Sequence, residues 1–322
     1  MKKALITGIN GQDGSYLAEL LLEKGYEVHG ILKRNSVAEN QTARLDDIFK
    51  EINLEYADML DLASLNRVLQ QVKPDEIYNL AAQSHVRISF DQPIYTTQVV
   101  AIGTLNILES MKLLCPNSRF YQASSSEMFG NSFDNDGFQR ETTPMHPTSP
   151  YGCAKVYGYN ITRNYRHSYN LFASNGILFN HESPRRGSNF VTNKVAKEAV
   201  RIKYGLTDKL LLGNLDATRD WGHAKDYVNC MWLILQQDIP DDFVCATGIS
   251  HSVRELCEYV FGKLDLDYKD YVGVDQKYMR PEELTDLKGD SSKARLVLDW
   301  VHGYTFETML DEMIEHWDIV YG

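Results

Sequence analysis

The sequence predicts an α/β fold built on a doubly wound, mainly parallel sheet. Three observations predict it. Short apolar runs alternate with helix-patterned stretches through the first half of the chain, a glycine loop follows the first run directly, and polar residues collect where later runs end. With 322 residues, 43% of them hydrophobic and 24% charged, the chain can bury a sizeable core.

The elements follow in order. A strand at 4–7 leads into a helix over 16–24, then strands at 28–32 and 54–57, a helix from about 63 and a strand at 77–80. A helix over 97–114, a strand at 119–123, a helix over 150–168 and a strand at 172–178 continue the rhythm. Six or seven such strands make a Rossmann-type sheet. Beyond about residue 180 the pattern loosens into loops, with one helix over 191–204 stopped by Gly205. The predicted organisation is therefore a Rossmann domain over 1–180 and a smaller C-terminal substrate lobe over 181–322, some of whose chain crosses back. No repeat or low-complexity linker separates the two.

A formal net charge of −11 disfavours nucleic-acid and anionic-membrane partners, because binding their phosphates needs a basic field. No apolar run is long enough to span a bilayer and no signal peptide pattern opens the chain, which predicts a cytoplasmic protein. Five widely spaced cysteines without a C-x-x-C predict reduced core thiols and no metal site.

Gly8, Asn10, Gly11, Gln12, Asp13 and Gly14 form a Gly-x-x-Gly-x-x-Gly turn between the first strand and first helix. Its glycines let the backbone approach a pyrophosphate seated on a helix N-terminus, so the loop predicts dinucleotide binding. The second strand ends in Lys33 and Arg34, where an NAD-specific chain usually carries an acid for the ribose 2′-hydroxyl. Two cations there favour the 2′-phosphate of NADP. Asp58, with Leu60 close behind, and the small-residue turn Leu80, Ala81 and Ala82 suit cofactor contacts or plain turn structure equally.

Tyr151 and Lys155 lie four apart just after Pro150, on one face of a helix start. A tyrosine titrates at about 10, so lowering it to about 7 asks for about 4 kcal/mol, which a neighbouring ammonium and an oxidised nicotinamide can supply. The polar strand end Ser124, Ser125, Ser126 and Glu127 sits at a sheet edge that suits hydrogen bonds to a sugar hydroxyl and proton transfer.

The glycine loop with Ser125, Tyr151 and Lys155 resembles the extended short-chain dehydrogenases. Residues 8–22, 124–130, 150–155, 175–187 and 216–227 resemble the GDP-mannose 4,6-dehydratase family, and the likeness runs from about 2 to 317. The resemblance implies that Tyr151 takes the C4 hydroxyl proton as hydride passes to NADP⁺, Ser125 orients that hydroxyl and Lys155 holds the nicotinamide ribose. Glu127 then removes the C5 proton that the C4 ketone has acidified, water leaves C6, and hydride returns to C6. Relatives acting on thymidine diphosphates carry an Asp where Ser126 stands, so Glu127 or a water must protonate the leaving group. The resemblance also implies substrate contacts at Asn180, Lys194, Arg219 and Arg280, completed by Ser84 and Ser126, and cofactor contacts at His181 and Arg186. A homodimer or homotetramer is implied too, although Asn10 replaces the family's Thr and residues 35–41 depart from its serine-rich loop. Rival readings are a dehydratase of a related GDP-hexose or GDP-heptose, a nucleotide-sugar C4 epimerase with no use for Glu127, and a non-catalytic NADP-binding protein.

Overall fold

The structure, a computed structural model, describes residues 1–35, 41–279 and 281–322. In chain order the first part gives β1 (Lys3–Thr7), α1 (Gln12–Glu23), β2 (Glu27–Leu32), β3 (Asn53–Tyr56), α2 (Leu62–Val72) and β4 (Glu76–Asn79). Then come α3 (Val86–Asp91), α4 (Pro93–Thr97), α5 (Gly103–Leu114), β5 (Arg119–Ser125), α6 (Pro150–Tyr169) and β6 (Ala173–Leu178). Past β6 lie β7 (Asn180–Glu182), α7 (Val191–Lys203), β8 (Leu210–Leu212), β9 (Thr218–His223), α8 (Ala224–Gln236) and β10 (Asp242–Cys245). The last elements are β11 (Ser250–Ser252), α9 (Val253–Lys263), α10 (Tyr268–Tyr271), β12 (Val272–Val274), α11 (Ser292–Leu298) and α12 (Phe306–Tyr321).

Seven strands pair in parallel in the order β10-β6-β5-β4-β1-β2-β3. Strand order reverses between β1 and β4, so a crevice opens at their carboxyl ends. The pleat explains the two apolar layers: Ala4 and Ile6 point into a core shared with α1 and α8, while Leu5 points into one shared with α2 and α5. A separate core joins α7, α9 and α12 around Trp221. It lies under the small sheets β11-β9-β7 and β12-β8.

The chain beyond residue 180 contributes more to the main sheet than its loosened pattern suggests. β10 is an edge strand of that sheet, and α8 packs beside α1. Four residues are too few for a period to register, and a buried polar network does the fixing instead. Asp242, in β10, accepts a two-pronged bond from Arg166 (3.0 and 2.7 Å) and another from Asn175 (2.8 Å).

The cysteines are not all the reduced thiols that their spacing predicts. Cys230 of α8 and Cys245 of β10 are joined as a disulfide, because the helix lies across the strand and brings residues from separate elements side by side. Cys115, Cys153 and Cys257 are free. Among the described residues no helix is long and apolar enough to cross a membrane, and no three metal-ligating side chains cluster.

Candidate active site

A cleft of about 1090 Å³ runs from the glycine loop, past the ends of β4 and β5, to α7 and β9. At the first end Gly8 adopts φ +71°, and a Cβ there would stand 3.0 Å from the Ala81 backbone. A Cβ on Gly14 would come within 2.4 Å of the Gly8 carbonyl oxygen, so only glycine lets α1 start so close beneath the turn. Thr7 Oγ1 accepts from the amides of Leu80 and Ala81 (3.1 and 3.0 Å), which seats the small-residue turn against the loop. Bare backbone at a helix N-terminus beside a small-residue wall fits the pyrophosphate of a dinucleotide.

Asp13 and His181 tie this loop to β7. The imidazole Nδ1 lies 2.7 Å from the Phe179 carbonyl oxygen and Nε2 lies 2.8 Å from the Asp13 carboxylate. Both partners only accept, so both nitrogens carry hydrogen and the ring is an imidazolium, stacked on Tyr227. Burial alone would raise the Asp13 carboxyl, but His181 outweighs it and holds the group down at about 2. Burial likewise pulls His181 down, and Asp13 outweighs that, aided by the Phe179 carbonyl and opposed by Arg186.

A raised histidine stabilises the fold fully below its unfolded value of about 6.5 and loses that contribution as pH rises through the folded one. A depressed aspartate contributes above about 3.9 and loses its contribution as pH falls toward its folded value. The pair is therefore worth most from about pH 4 to about pH 6.5. Thermal unfolding of wild type and Asp13→Asn should differ most in that window, with a gap that narrows as pH rises beyond it. A gap that stays constant across this range would show that His181 is not charged.

At the centre of the cleft, Ser149 caps α6 by accepting from the Gly152 amide (3.0 Å), and Pro150 takes the first helical position. A Cβ on Gly152 would stand 2.8 Å from the Glu127 carbonyl oxygen, so the helix start presses against the end of β5. That contact sets Tyr151 (8% exposed) beside Ser125 and Glu127 (5% exposed), all lining the cleft. Lys155 Nζ donates to the Ala123 carbonyl (2.7 Å), and burial lowers its ammonium to about 8.

Burial pushes the Tyr151 hydroxyl well above its ordinary value. A hydrogen bond with Ser125 opposes the rise and the Glu127 carboxylate adds to it. The lowering expected for this hydroxyl counts the charge of an oxidised nicotinamide as well as that of Lys155, and without that cation the hydroxyl is raised. The dry pocket penalises the phenolate more strongly than local groups favour it.

The far end of the cleft is cationic. Arg219, 6% exposed, donates to the carbonyls of Thr218 (2.7 Å) and Leu284 (3.1 Å) and faces Glu283 at 3.3 Å. Lys194 Nζ donates to the Leu211 carbonyl (2.6 Å) and lies 3.8 Å from the centroid of the Tyr278 ring. Arg186 stands 3.1 Å from Glu182, in an ion pair without hydrogen-bond geometry, and covers the Phe190 ring.

The cleft thus brings together Gly8, Asn10, Gly11, Gln12, Asp13, Gly14, Leu80, Ala81, Ala82, Ser84, Ser125, Glu127, Tyr151, Lys155, Asn180, His181, Arg186, Lys194 and Arg219. Others stand apart from its wall. Ser126 is fully buried with its hydroxyl unpartnered, since β5 ends at Ser125 and the following 3-10 turn carries Ser126 inward. Asp58 pairs with Lys33 (3.3 Å) and accepts from the Leu60 amide, with Leu60 exposed at the sheet edge. Lys33 also meets Tyr95, whereas Arg34 is exposed and, among the described residues, bonds to the neighbouring Asn35 carbonyl. Arg280 and positions 36–40 of the departing loop lie outside the described residues. Sequence reasoning missed Phe190, Tyr278 and Glu283, which also line the cleft. They stand in or beside loops, where no period marks them.

Comparison with known proteins places this cleft in a family. The sequence model described as GDP-mannose 4,6 dehydratase matches residues 5–313. GDP-mannose 4,6 dehydratase 2 of Arabidopsis thaliana is 52% identical, over 98% of this chain and 86% of its own length. The human GDP-mannose 4,6 dehydratase is 50% identical, over 98% of this chain and 91% of its own. Among solved structures, dTDP-glucose 4,6-dehydratase of Streptomyces venezuelae with NAD bound superposes with a TM-score of 0.85 at 23% identity, covering 98% of this chain and 96% of that one. That likeness supports the fold seen here, and the near-complete matches at half identity show that the chain belongs to the GDP-mannose 4,6-dehydratase family.

Proposed function

We propose that the protein converts GDP-mannose to GDP-4-keto-6-deoxy-mannose and water, using NADP held in the cleft. The observation that carries this reading is Glu127, a carboxylate 5% exposed, sharing the cleft wall with Ser125 and Tyr151. An epimerase has no task for it. The nicotinamide, when bound, supplies hydride acceptance at C4 and hydride return at C6.

Tyr151 takes the C4 hydroxyl proton, with Ser125 orienting both oxygens. The resulting ketone acidifies C5–H, and Glu127 removes that proton and delivers it to the C6 hydroxyl as the C–O bond breaks. Ser126 is too deeply buried to assist, and Glu127 serves as the acid as well as the base. The proton gained by Tyr151 at C4 balances the one C5 regains, so only water is lost.

Lys155, anchored on Ala123, directs its remaining N–H groups to the nicotinamide ribose. Arg219 and Lys194 face the diphosphate. Arg34, exposed and without an acidic partner among the described residues, meets the 2′-phosphate, while Lys33 is drawn toward Asp58 and Tyr95. The reading includes a homo-oligomer, supported by exposed Ile94, Ile102 and Tyr157 on adjoining outer faces of the 93–102 segment and α6.

Incubation with GDP-mannose deuterated at C4 tests the reaction. Label at C6 of a product lighter by one water is expected. Unchanged mass with inverted C4 would replace dehydration by epimerisation.

A further inference from the structure

We infer that Arg44 is a second cation for the adenosine 2′-phosphate of NADP, set in place by a clasp between the glycine loop and the chain that follows β2. The inference rests on the NADP reading above and assigns a residue to it that no sequence motif marks.

The clasp consists of three hydrogen bonds. Asn10 Nδ2 donates to the Gln41 carbonyl (3.0 Å), Gln41 Nε2 donates to the Lys33 carbonyl (2.5 Å), and Arg44 Nη1 donates to the Asn10 carbonyl (3.3 Å). Together they close a ring from the end of β2, through residues 41–44, to the second residue after Gly8. The 3-10 turn Ala43–Ile48 is fixed from below, because Leu45 and Ile48 are buried in the core shared with α1. Arg44 is left on the outer side of that turn, over the loop where a dinucleotide's adenosine half begins.

Its electrostatic surroundings point to an anion. Arg44 Nε donates to the Arg185 carbonyl (2.8 Å), so both of its described partners are neutral carbonyl oxygens. Arg185 itself is neutralised by Glu19 at 2.5 Å, but among the described residues no carboxylate stands within ion-pair reach of Arg44. Arg44 is exposed, and partial desolvation and then the nearby Arg185 charge both act to lower its pKa, so the described surroundings do not favour its charge. A dianionic phosphate relieves that, and the planar fork still has N–H groups to offer it. The Asn10 amide makes the bond that sets residues 41–44 against the loop.

Titrations of the full chain with NADPH and with NADH, on wild type, Arg44→Ala, Arg44→Lys and Arg34→Ala, test this. Arg44→Ala is expected to weaken NADPH by about 10- to 100-fold while NADH changes less than about threefold, with partial recovery in Arg44→Lys. Retained NADH binding reports an intact fold. Equal losses for both dinucleotides would make Arg44 a prop for the glycine loop and overturn the assignment, as would no loss at all. If wild type itself binds NADPH and NADH alike, the NADP reading falls and this inference with it. If wild type prefers NADPH and Arg44→Ala keeps that preference, only the role of Arg44 falls.

Discussion

Replacing Tyr151 by phenylalanine lowers kcat by about 10³-fold or more and leaves the fold and substrate affinity nearly unchanged. The side chain is 8% exposed, and its ring packs with Val100, Ala101 and Ala154, which phenylalanine satisfies equally well. Only the hydroxyl and its bond with Ser125 are lost, at a surface facing the cleft, so the melting temperature should move by no more than about 2 °C. The kinetic cost is large because the lost hydroxyl is the group that takes the C4 proton. In the protein alone, burial holds the Tyr151 proton on, so the group becomes a base only when a cation adjoins it. A nicotinamide ring in its oxidised form is such a cation. The same dependence predicts that wild type binds the oxidised dinucleotide with measurable release of protons near pH 8, and that Tyr151→Phe releases fewer. Activity above about a tenth of wild type in the variant would move the base elsewhere.

Much of this site is written locally. Ser149 and Pro150 announce the start of α6, four residues of spacing put Tyr151 and Lys155 on one face, and the glycine loop directly follows a strand. Each signal lies within a few positions of the residue it places. What escaped is non-local. His181 reaches Asp13 across 168 positions and Arg44 reaches Arg185 across 141, and no period or propensity encodes such meetings. Cys230 and Cys245 illustrate the same gap at shorter range, since the contact needs a helix laid across a strand rather than a motif.

Two departures are instructive because the residues were in view and their surroundings were not. A run of serines reads as uniformly polar, yet the end of β5 turns Ser125 toward the cleft and Ser126 into the protein. For Tyr151 the sequence displays the charge of Lys155 but not the desolvation of either group. Lys155 is itself lowered by burial and committed to a backbone carbonyl. Charge can be counted from a sequence, whereas dielectric surroundings need a fold.

Changing Glu127 to glutamine separates the two halves of the reaction. The amide has nearly the shape of the carboxylate and keeps the packing of a side chain 5% exposed, but it cannot accept the C5 proton. Dehydration should fall by about 10³-fold or more. The C4 oxidation should survive, and for a reason visible in the cleft: the Glu127 carboxylate adds to the upward push on the Tyr151 hydroxyl, so removing its charge makes that hydroxyl easier to ionise. GDP-mannose mixed with the Glu127→Gln holoenzyme should therefore raise the reduced-nicotinamide absorbance once per site and then stall, with no product lighter by one water. A variant that dehydrates at the wild-type rate would show that another group takes the C5 proton. One that loses the absorbance change as well would place Glu127 in the first proton transfer, beside Tyr151, rather than after it.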